Sequence, residues 1–317
     1  MADRLVLALE GSTGTCSAAL LRMRRGTDED GSRWGLAARR VKAGGGGQTR
    51  VLLCLVDEML EETGLRPRDL GAVVVGTGPG TFTGVRITVA TARALSLALA
   101  VPVLGVSTLG ALAAGAAAGA AGGAAPGRGV GIQGGGGLLL VPVVDAHRGQ
   151  LFYGLYRPAG AEVALGTARW VRTSEFGVCD RDALGGLVTA AANDLLGPDR
   201  GHDTGACGEI ALVVGQGASL AGDLPSGVMF KGADLGAEWL VIGQDRLDEP
   251  GPAPQGARVA PWLAKALVSK SGAATLDPVP GVLGSPEAVT PIYVRAPDAD
   301  IHITKMRDPW ADGYGDG

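Results

Sequence analysis

The sequence predicts a two-lobed α/β protein in which each lobe opens with a hairpin and continues as mixed sheet and helices. Three observations carry this reading. Leu5 to Leu9, Glu10, Gly14 and Cys16 to Leu20 return at a constant offset of 135 as Leu140 to Val144, Asp145, Gly149 and Leu151 to Leu155, so an acid ends the first strand in both halves. A stretch of almost pure glycine and alanine, Gly110 to Gly137, divides the chain between them. A glycine-rich turn, "GTGPGTFTG" from Gly76 to Gly84, runs directly from an apolar strand into a long helical pattern. The boundaries follow as 1–112 for the first lobe, 113–137 for a linker or insertion, and 138–317 for the second lobe, whose C-terminal segment is expected to pack back on the first.

The elements can be justified in order. Leu5 to Leu9 is a buried strand, "EGSTGT" a turn, and Cys16 to Arg22 the returning strand. "RRGTDEDGSRWG" reads as a loop. From Gln48 to Thr63 the residues Val51, Leu52, Leu55, Val56, Met59 and Leu60 recur at helical spacing, with Gly64 placed as a C-cap. Leu70 to Val75 is a continuous β-branched apolar run, suited to a buried strand. In the helix that follows, Gly84, Thr88, Ala92, Ser96 and Ala100 form a stripe of small side chains beside a second stripe of Ile87, Thr91, Leu95 and Leu99. Small stripes admit a close helix neighbour, within the chain or from another molecule, and both remain open at this point. In the second half, "ALVVGQGA" from Ala211 to Ala218 delivers a strand into a glycine turn. "RVAPWLAKALVSK" reads as an amphipathic helix, and "VTPIYVRAPDADI" as extended.

Composition excludes several classes. Of the 317 residues 46% are hydrophobic, enough for a core, and a net charge of −4 with no basic stripe argues against a free-standing nucleic-acid binder. The four cysteines lie far apart without a Cys-x-x-Cys pair, which fits reduced cytosolic thiols. "RLVLALE" is too short for a signal h-region, and Ala94 to Val106 is interrupted by Ser96 and Pro102, short of the ~20 apolar residues of a membrane helix, so a soluble cytoplasmic protein is expected. The Gly76 to Gly84 turn has no Gly-Lys-[Ser/Thr], and Pro79 interrupts a dinucleotide fingerprint. Phosphate cradling is unspecific there.

"GTGPGTFTGVRI", with "LALEGSTGTCSAALL", "VPVLGVSTLGALA", "VVDAHRGQLFYGLY" and "PIYVR", resembles the TsaB (YeaZ) family, the non-catalytic partners in bacterial tRNA threonylcarbamoyladenosine (t6A) synthesis. Gly76 to Arg86 is its most specific element. The resemblance implies a two-lobed actin-like (ASKHA, duplicated ribonuclease-H-like) α/β fold with mixed sheets. It implies a catalytic paralogue, TsaD, which transfers the threonylcarbamoyl group to adenosine 37 of tRNA. It also implies the ATPase TsaE as a further partner, a homodimer that alternates with the TsaD pairing, and tRNA contact only through the complex. ATP and a metal ion would be used by the partner subunits, with no cofactor of this chain's own.

Carried onto this sequence, the docking helices are Gln48 to Thr63 and Thr83 to Leu99, and the interface residues are Val51, Leu52, Leu55, Thr81, Phe82, Thr83, Gly84, Arg86, Thr88, Ala92, Leu95 and Ser96. The paralogue's His-x-x-x-His metal pair meets Thr108 and Leu112 here, so no catalytic or metal-ligating residue is expected. A vestigial nucleotide cleft would be lined by Glu10, Ser12, Thr13, Asp145, Gly215 and Gly217. Asp145 is open to two readings, a contact to a nucleotide-bound cation or a hydrogen-bonded turn acid, and His147 to a ligand contact or a solvated turn residue. Glu10-Gly11 stands where the family usually has Asp, and Gly47 where a His often precedes the first helix, which weakens nucleotide binding further. "HDTGACGE" and "GAEWLVIGQDRLDEPGPAPQ" look like loop growth. An actin-like ATP-dependent small-molecule kinase is the alternative function; a peptidase, the remaining one, lacks any Ser-His-Asp order or metal-protease motif.

Overall fold

The computed structural model describes residues 4–23, 34–43, 48–117, 139–159, 170–196, 211–224, 228–231, 236–242, 247–248 and 289–294. The helix expected at 258–270, the "HDTGACGE" stretch, Cys207, His202, His302 and most of the Gly/Ala-rich linker lie outside the described residues.

The first half runs β1 (Arg4–Glu10), β2 (Thr15–Met23), β3 (Trp34–Ala43), α1 (Gln48–Thr63), β4 (Leu70–Gly76), α2 (Phe82–Leu99), β5 (Val103–Val106) and α3 (Thr108–Ala117). Its sheet has the order β3-β2-β1-β4-β5. β1–β2 and β2–β3 are antiparallel, while β1–β4 and β4–β5 are parallel. The second half adds β6 (Leu139–His147), β7 (Gln150–Tyr153), β8 (Tyr156–Pro158), β9 (Trp170–Arg172), β10 (Gly177–Asp180), α4 (Leu184–Leu196), β11 (Ala211–Val214), β12 (Val228–Lys231) and β13 (Leu247–Asp248). Within it β7 pairs antiparallel with β6 and β10, and β11 pairs parallel with β6 and β12. The path β10-β7-β6-β11-β12 therefore repeats β3-β2-β1-β4-β5 in order and sense. The internal repeat is a duplication of topology, to which the second half adds β8, β9 and β13, joined to the sheet where β8 pairs with the central strand β6.

The repeat is inexact where the hairpins turn. Glu10 pairs Ser17, whereas its counterpart Asp145 pairs Leu151, so the return strands are one residue out of step. Gly149 has φ +78°, preceded by His147 and Arg148 at +59° and +55°, so the second turn is built from three consecutive left-handed residues. Gly14 does not share this conformation. The glycine expected to make both turns possible makes only the second.

Local chemistry explains the helices. α1 buries Leu52, Leu55, Val56, Met59 and Leu60, and Gly64 at φ +66° closes it as the Leu65 amide donates to the Leu60 carbonyl. α2 closes the same way on Ala100 at φ +52°, with Val101 N donating to Ser96 O. α2 is also the one helix among the described residues long and apolar enough to cross a membrane, yet it packs against β4 and α1.

The sequence does not announce β3: only Trp34 and Gly35 of it fall in the stretch read as loop, and 36–43 carry no reading. It is an edge strand whose outer residues Arg39, Arg40 and Lys42 are polar, which hides the strand pattern and blunts the edge against further pairing. Arg40 pairs with Glu62 and Glu58 of α1.

α1 and α2 cover one face of the first sheet, forming a core with Leu5, Leu7, Leu9, Val73 and Val75. The other face, with Val6, Ala8, Val74 and Leu104, shares a core with Leu140, Val144, Leu212 and Val214 of the second sheet. α3 is buried along its whole length between them and packs on β6. The boundary expected at residue 112 thus falls inside a helix common to both halves. Part of the stretch read as loop growth is also core: a 3-10 turn, Ala237–Leu240, buries Ala237, Leu240, Val241 and Ile242 against the first sheet. Its Trp239 covers Gly115 of α3, where a Cβ would approach the indole to 3.1 Å.

Glu238 in this turn is buried and accepts from Arg39 Nη1 at 2.7 Å, joining the two halves. Burial raises its carboxyl above the ordinary range against the pull of Arg39. Arg39→Met strands that acid and is expected to cost about 1–3 kcal/mol, less than for a fully buried pair because Arg39 is partly in solvent. Urea unfolding measures it.

Candidate functional site

The glycine turn packs on the first hairpin turn rather than around an empty cradle. A Cβ on Gly80 would collide with the Ser12 carbonyl, one on Gly84 with the Gly11 carbonyl, and one on Gly76 with the Glu10 carboxylate. The contact is reciprocal, since a Cβ on Gly11 would stand 2.5 Å from Thr88 Oγ1. The Thr81 amide donates to Ser12 O at 2.6 Å, fixing the start of α2. Gly78 has φ +87°, and Thr77 bonds β5 through both its amide and its hydroxyl, each to Val106 O.

Beneath this turn Glu10, Ser12 and Thr108 form a closed polar cluster, all within 1% of full burial. Glu10 Oε1 accepts from the Ser12 amide and hydroxyl, and Oε2 from Thr108 Oγ1 at 3.2 Å. Thr108 Oγ1 also accepts from the Gly78 amide at 3.1 Å and lies 2.8 Å from Ser12 Oγ. Burial pushes the Glu10 carboxyl up, opposed by the bonds from Ser12, Thr108 and Gly11. The polar groups of this pocket satisfy one another.

The second-half residues of the expected cleft behave similarly. Asp145 Oδ1 accepts from the His147 amide at 2.9 Å and from Arg181 Nη2 at 3.2 Å, and Oδ2 lies 3.3 Å from His147 Nδ1. Asp145 is thus a hydrogen-bonded turn acid. Gly215, at φ +115°, and Gly217 follow directly on β11. They too are filled by backbone: a Cβ on Gly215 would strike the Val143 carbonyl, and one on Gly217 would reach Val144 at 3.0 Å. Gln216 between them reaches the first turn, with Oε1 3.4 Å from the Gly14 amide and Nε2 3.5 Å from Thr15 Oγ1. Thr13, also placed at the cleft, is buried with Oγ1 3.3 Å from Thr15 Oγ1.

The expected docking residues divide into two sets. Gly84, Thr88, Ala92 and Ser96 are buried, and Leu52 and Leu55 join the core beneath the sheet. The small-residue stripe is therefore spent within the chain: Thr88 and Ser96 turn their hydroxyls to the backbone of Gly84 and Val101, and Ala92 is core. A bulky residue at Ala92 would disrupt the lobe and not test docking. Phe82, Thr83 and Arg86 are exposed, and Val51, Thr81 and Leu95 are half-buried. The face actually presented by the helices adds residues that periodicity alone did not select, Leu53 on α1 and Leu97 on α2, the latter 66% exposed.

Residues 289–294 complete this face. Val289 is fully buried, and its carbonyl accepts from Arg93 Nε at 3.0 Å and from Nη2. The Ile292 amide donates to Thr77 O at 2.7 Å. Tyr293 reaches Arg86, whose Nε donates to the phenol oxygen at 2.9 Å while its guanidinium lies 3.6 Å from the Phe82 ring centre. "PIYVR" is thus partly a strap across the glycine turn.

Two mixed sheets of one topology, packed through a shared helix, define a duplicated ribonuclease-H-like, actin-like protein. A solved Pseudomonas aeruginosa protein, described as uncharacterized with similarity to peptidase YeaZ, shares the fold at a TM-score of 0.53 and 23% identity, over 92% of this chain and 100% of that one. More particularly, part of the chain is similar to TsaB proteins. It is 37% identical over 102 residues to the tRNA threonylcarbamoyladenosine biosynthesis protein TsaB of Bacillus subtilis (strain 168), covering 32% of this chain and 37% of the relative. It is 30% identical over 155 residues to the protein of that name from Escherichia coli (strain K12), covering 48% of this chain and 54% of the relative. The chain thus spans about half or less of the length of these relatives. Residues 48–171 match the family model of TsaD, tRNA N6-adenosine threonylcarbamoyltransferase.

Proposed function

We propose that this chain is a TsaB-type scaffold subunit in t6A synthesis. It pairs with a TsaD-type transferase through the outer face of α1 and α2 and leaves the chemistry, the ATP and the metal to its partners. One observation carries the reading: α2 and the 289–294 strap leave Phe82, Leu97 and Tyr293 exposed around one groove, and Leu53 is exposed on α1. The hydrogen-bonded closure of Glu10, Ser12 and Thr108 supports the non-catalytic part, because their polar groups are already matched to each other. The same face serves a homodimer that competes with the heterodimer, a TsaE-type ATPase docks on the assembled pair, and tRNA is met through the complex, in the cytoplasm. The actin-like kinase has less support, since both glycine turns are packed by the chain's own backbone.

Leu97→Asp tests it. The side chain is largely in solvent, so folding is expected to change by less than about 0.5 kcal/mol, while a charge in an apolar interface is expected to weaken pairing at least tenfold. Size-exclusion chromatography with light scattering, on the chain alone and mixed with its TsaD-type transferase, reads both states. A wild-type chain that ignores the transferase and fails to raise its activity ends the proposal.

A further inference from the structure

We propose that Arg86 is a preformed receptor for a carboxylate on a helix of the protein partner, and that the 289–294 strap exists in part to hold it. The inference rests on the docking role above and adds the chemistry of what docks. Between α2 and the strap runs a groove of about 470 Å³. Ala90 and Ala94, one turn apart, give it a shallow floor, and Leu97 and Pro291 its apolar walls. Small residues at that spacing let a second helix approach closely.

Two arginines border the groove and are used differently. Arg93 spends Nε and Nη2 on the Val289 carbonyl and so ties the strap down. Arg86 is fixed from two sides, by the Phe82 ring under its guanidinium and by the Tyr293 hydroxyl on its Nε. Those contacts leave Nη1 and Nη2 without an ion pair among the described residues, and the side chain is exposed. A surface arginine ordinarily keeps its rotamer freedom; here it is lost before any partner arrives, so the cost of ordering it at binding is already met. The planar fork that remains matches a carboxylate by two parallel hydrogen bonds.

The neighbourhood selects a protein over a nucleic acid. A phosphate backbone would gain nothing from Leu97 and the alanine floor, and the chain's net charge of −4 offers no supporting field. An amphipathic helix with an acidic residue one turn from an aliphatic one fits both features: the acid on Arg86, the aliphatic side chain in the groove.

The test uses the full chain and its TsaD-type transferase, with calorimetry at low and high salt. Arg86→Met is expected to weaken binding about tenfold to a hundredfold and to flatten its salt dependence, at unchanged melting temperature. Arg86→Lys is expected to lose nearly as much, because an ammonium neither forks nor stacks as a guanidinium does. Tyr293→Phe, which frees Nε but keeps the ring, is expected to cost about three- to tenfold, and Arg157→Met, an exposed cation of the second half, nothing. If Arg86→Met binds like the wild type while Leu97→Asp does not bind, the carboxylate receptor is wrong and the docking role stands. If the wild type does not bind, both fall. If Arg86→Met instead weakens retention of tRNA alone, or only the self-association seen by light scattering, the occupant is a phosphate or a second copy and the proposal is overturned.

Discussion

Gly84→Ala is expected to destabilise the protein by about 3 kcal/mol or more, and to prevent folding if the marginal stability of the chain is near the lower end of the usual range. The added methyl would strike the Gly11 carbonyl, a backbone atom held in the first hairpin turn, and it would also crowd Thr81 Oγ1. The carbonyl cannot yield as the end of a flexible side chain can. Gly80→Ala is expected to behave alike, because its obstacle is the Ser12 carbonyl. Two other glycines make the result specific. Gly64→Ala meets nothing within 4 Å but must hold φ +66°, a cost of about 1 kcal/mol. Gly186→Ala, exposed inside α4 with nothing within 4 Å, is expected to stabilise by about 0.5–1 kcal/mol. Urea denaturation of the four variants orders them. Equal small losses at Gly84 and Gly64 would mean that the turn is not closely packed on Gly11, and the structural account of the motif would fail.

Glu10→Ala and Glu10→Gln are expected to part company. Alanine removes the acceptor of the Ser12 amide and hydroxyl and of Thr108, and leaves a void, at a cost of about 2–4 kcal/mol. Glutamine keeps an oxygen for Ser12 and offers a donor to Thr108 Oγ1, so its folding at neutral pH is expected to stay close to wild type or exceed it. The pH dependence separates charge from shape. Burial raises the Glu10 carboxyl above its ordinary value of 4.5, so the native state keeps its proton over a range where the unfolded chain has lost it. Stability from this group therefore falls as pH rises from about the unfolded value through the folded one, and is level above it. Glu238, raised by burial in the same direction, adds to that slope. Glu10→Gln should remove part of the slope and Glu238→Gln a further part. A wild-type stability that rises over this window, or is unchanged in slope by Glu10→Gln, contradicts the placement of the two acids.

Partner exchange probes the outside of the same element. Leu97→Asp and Arg86→Met should leave the melting temperature alone and act on association, whereas Gly84→Ala should act on folding first. These positions share one helix and differ in which way they face.

That difference marks where sequence reasoning reached its limit. β1, β2, α1, β4 and α2 were legible because each writes its burial in its own periodicity: five apolar residues of α1 recur on one face, and β4 is apolar throughout. The duplication was legible from the two acid-ended hairpins, and the sheet orders show how far it goes. β3 was obscured because an edge strand carries few buried residues, and the 237–242 plug because a short 3-10 turn has no period to detect. The acid at the end of β1 and the glycines of the turn were visible as motifs, but Glu10 and Thr108 lie 98 residues apart, and no local pattern announces that one hydroxyl answers the other.

The two related halves, the hydrophobic faces of the first-half elements and the likeness to TsaB are written in the order of residues. That the small-residue stripe faces inward, that Leu53 and Leu97 face outward, and that the glycines accommodate backbone follow from how the folded elements pack. An alanine, a threonine or a glycine suits a close contact whatever supplies it. Which surface does so, the chain's own hairpin or another molecule, is set by long-range packing that periodicity does not encode.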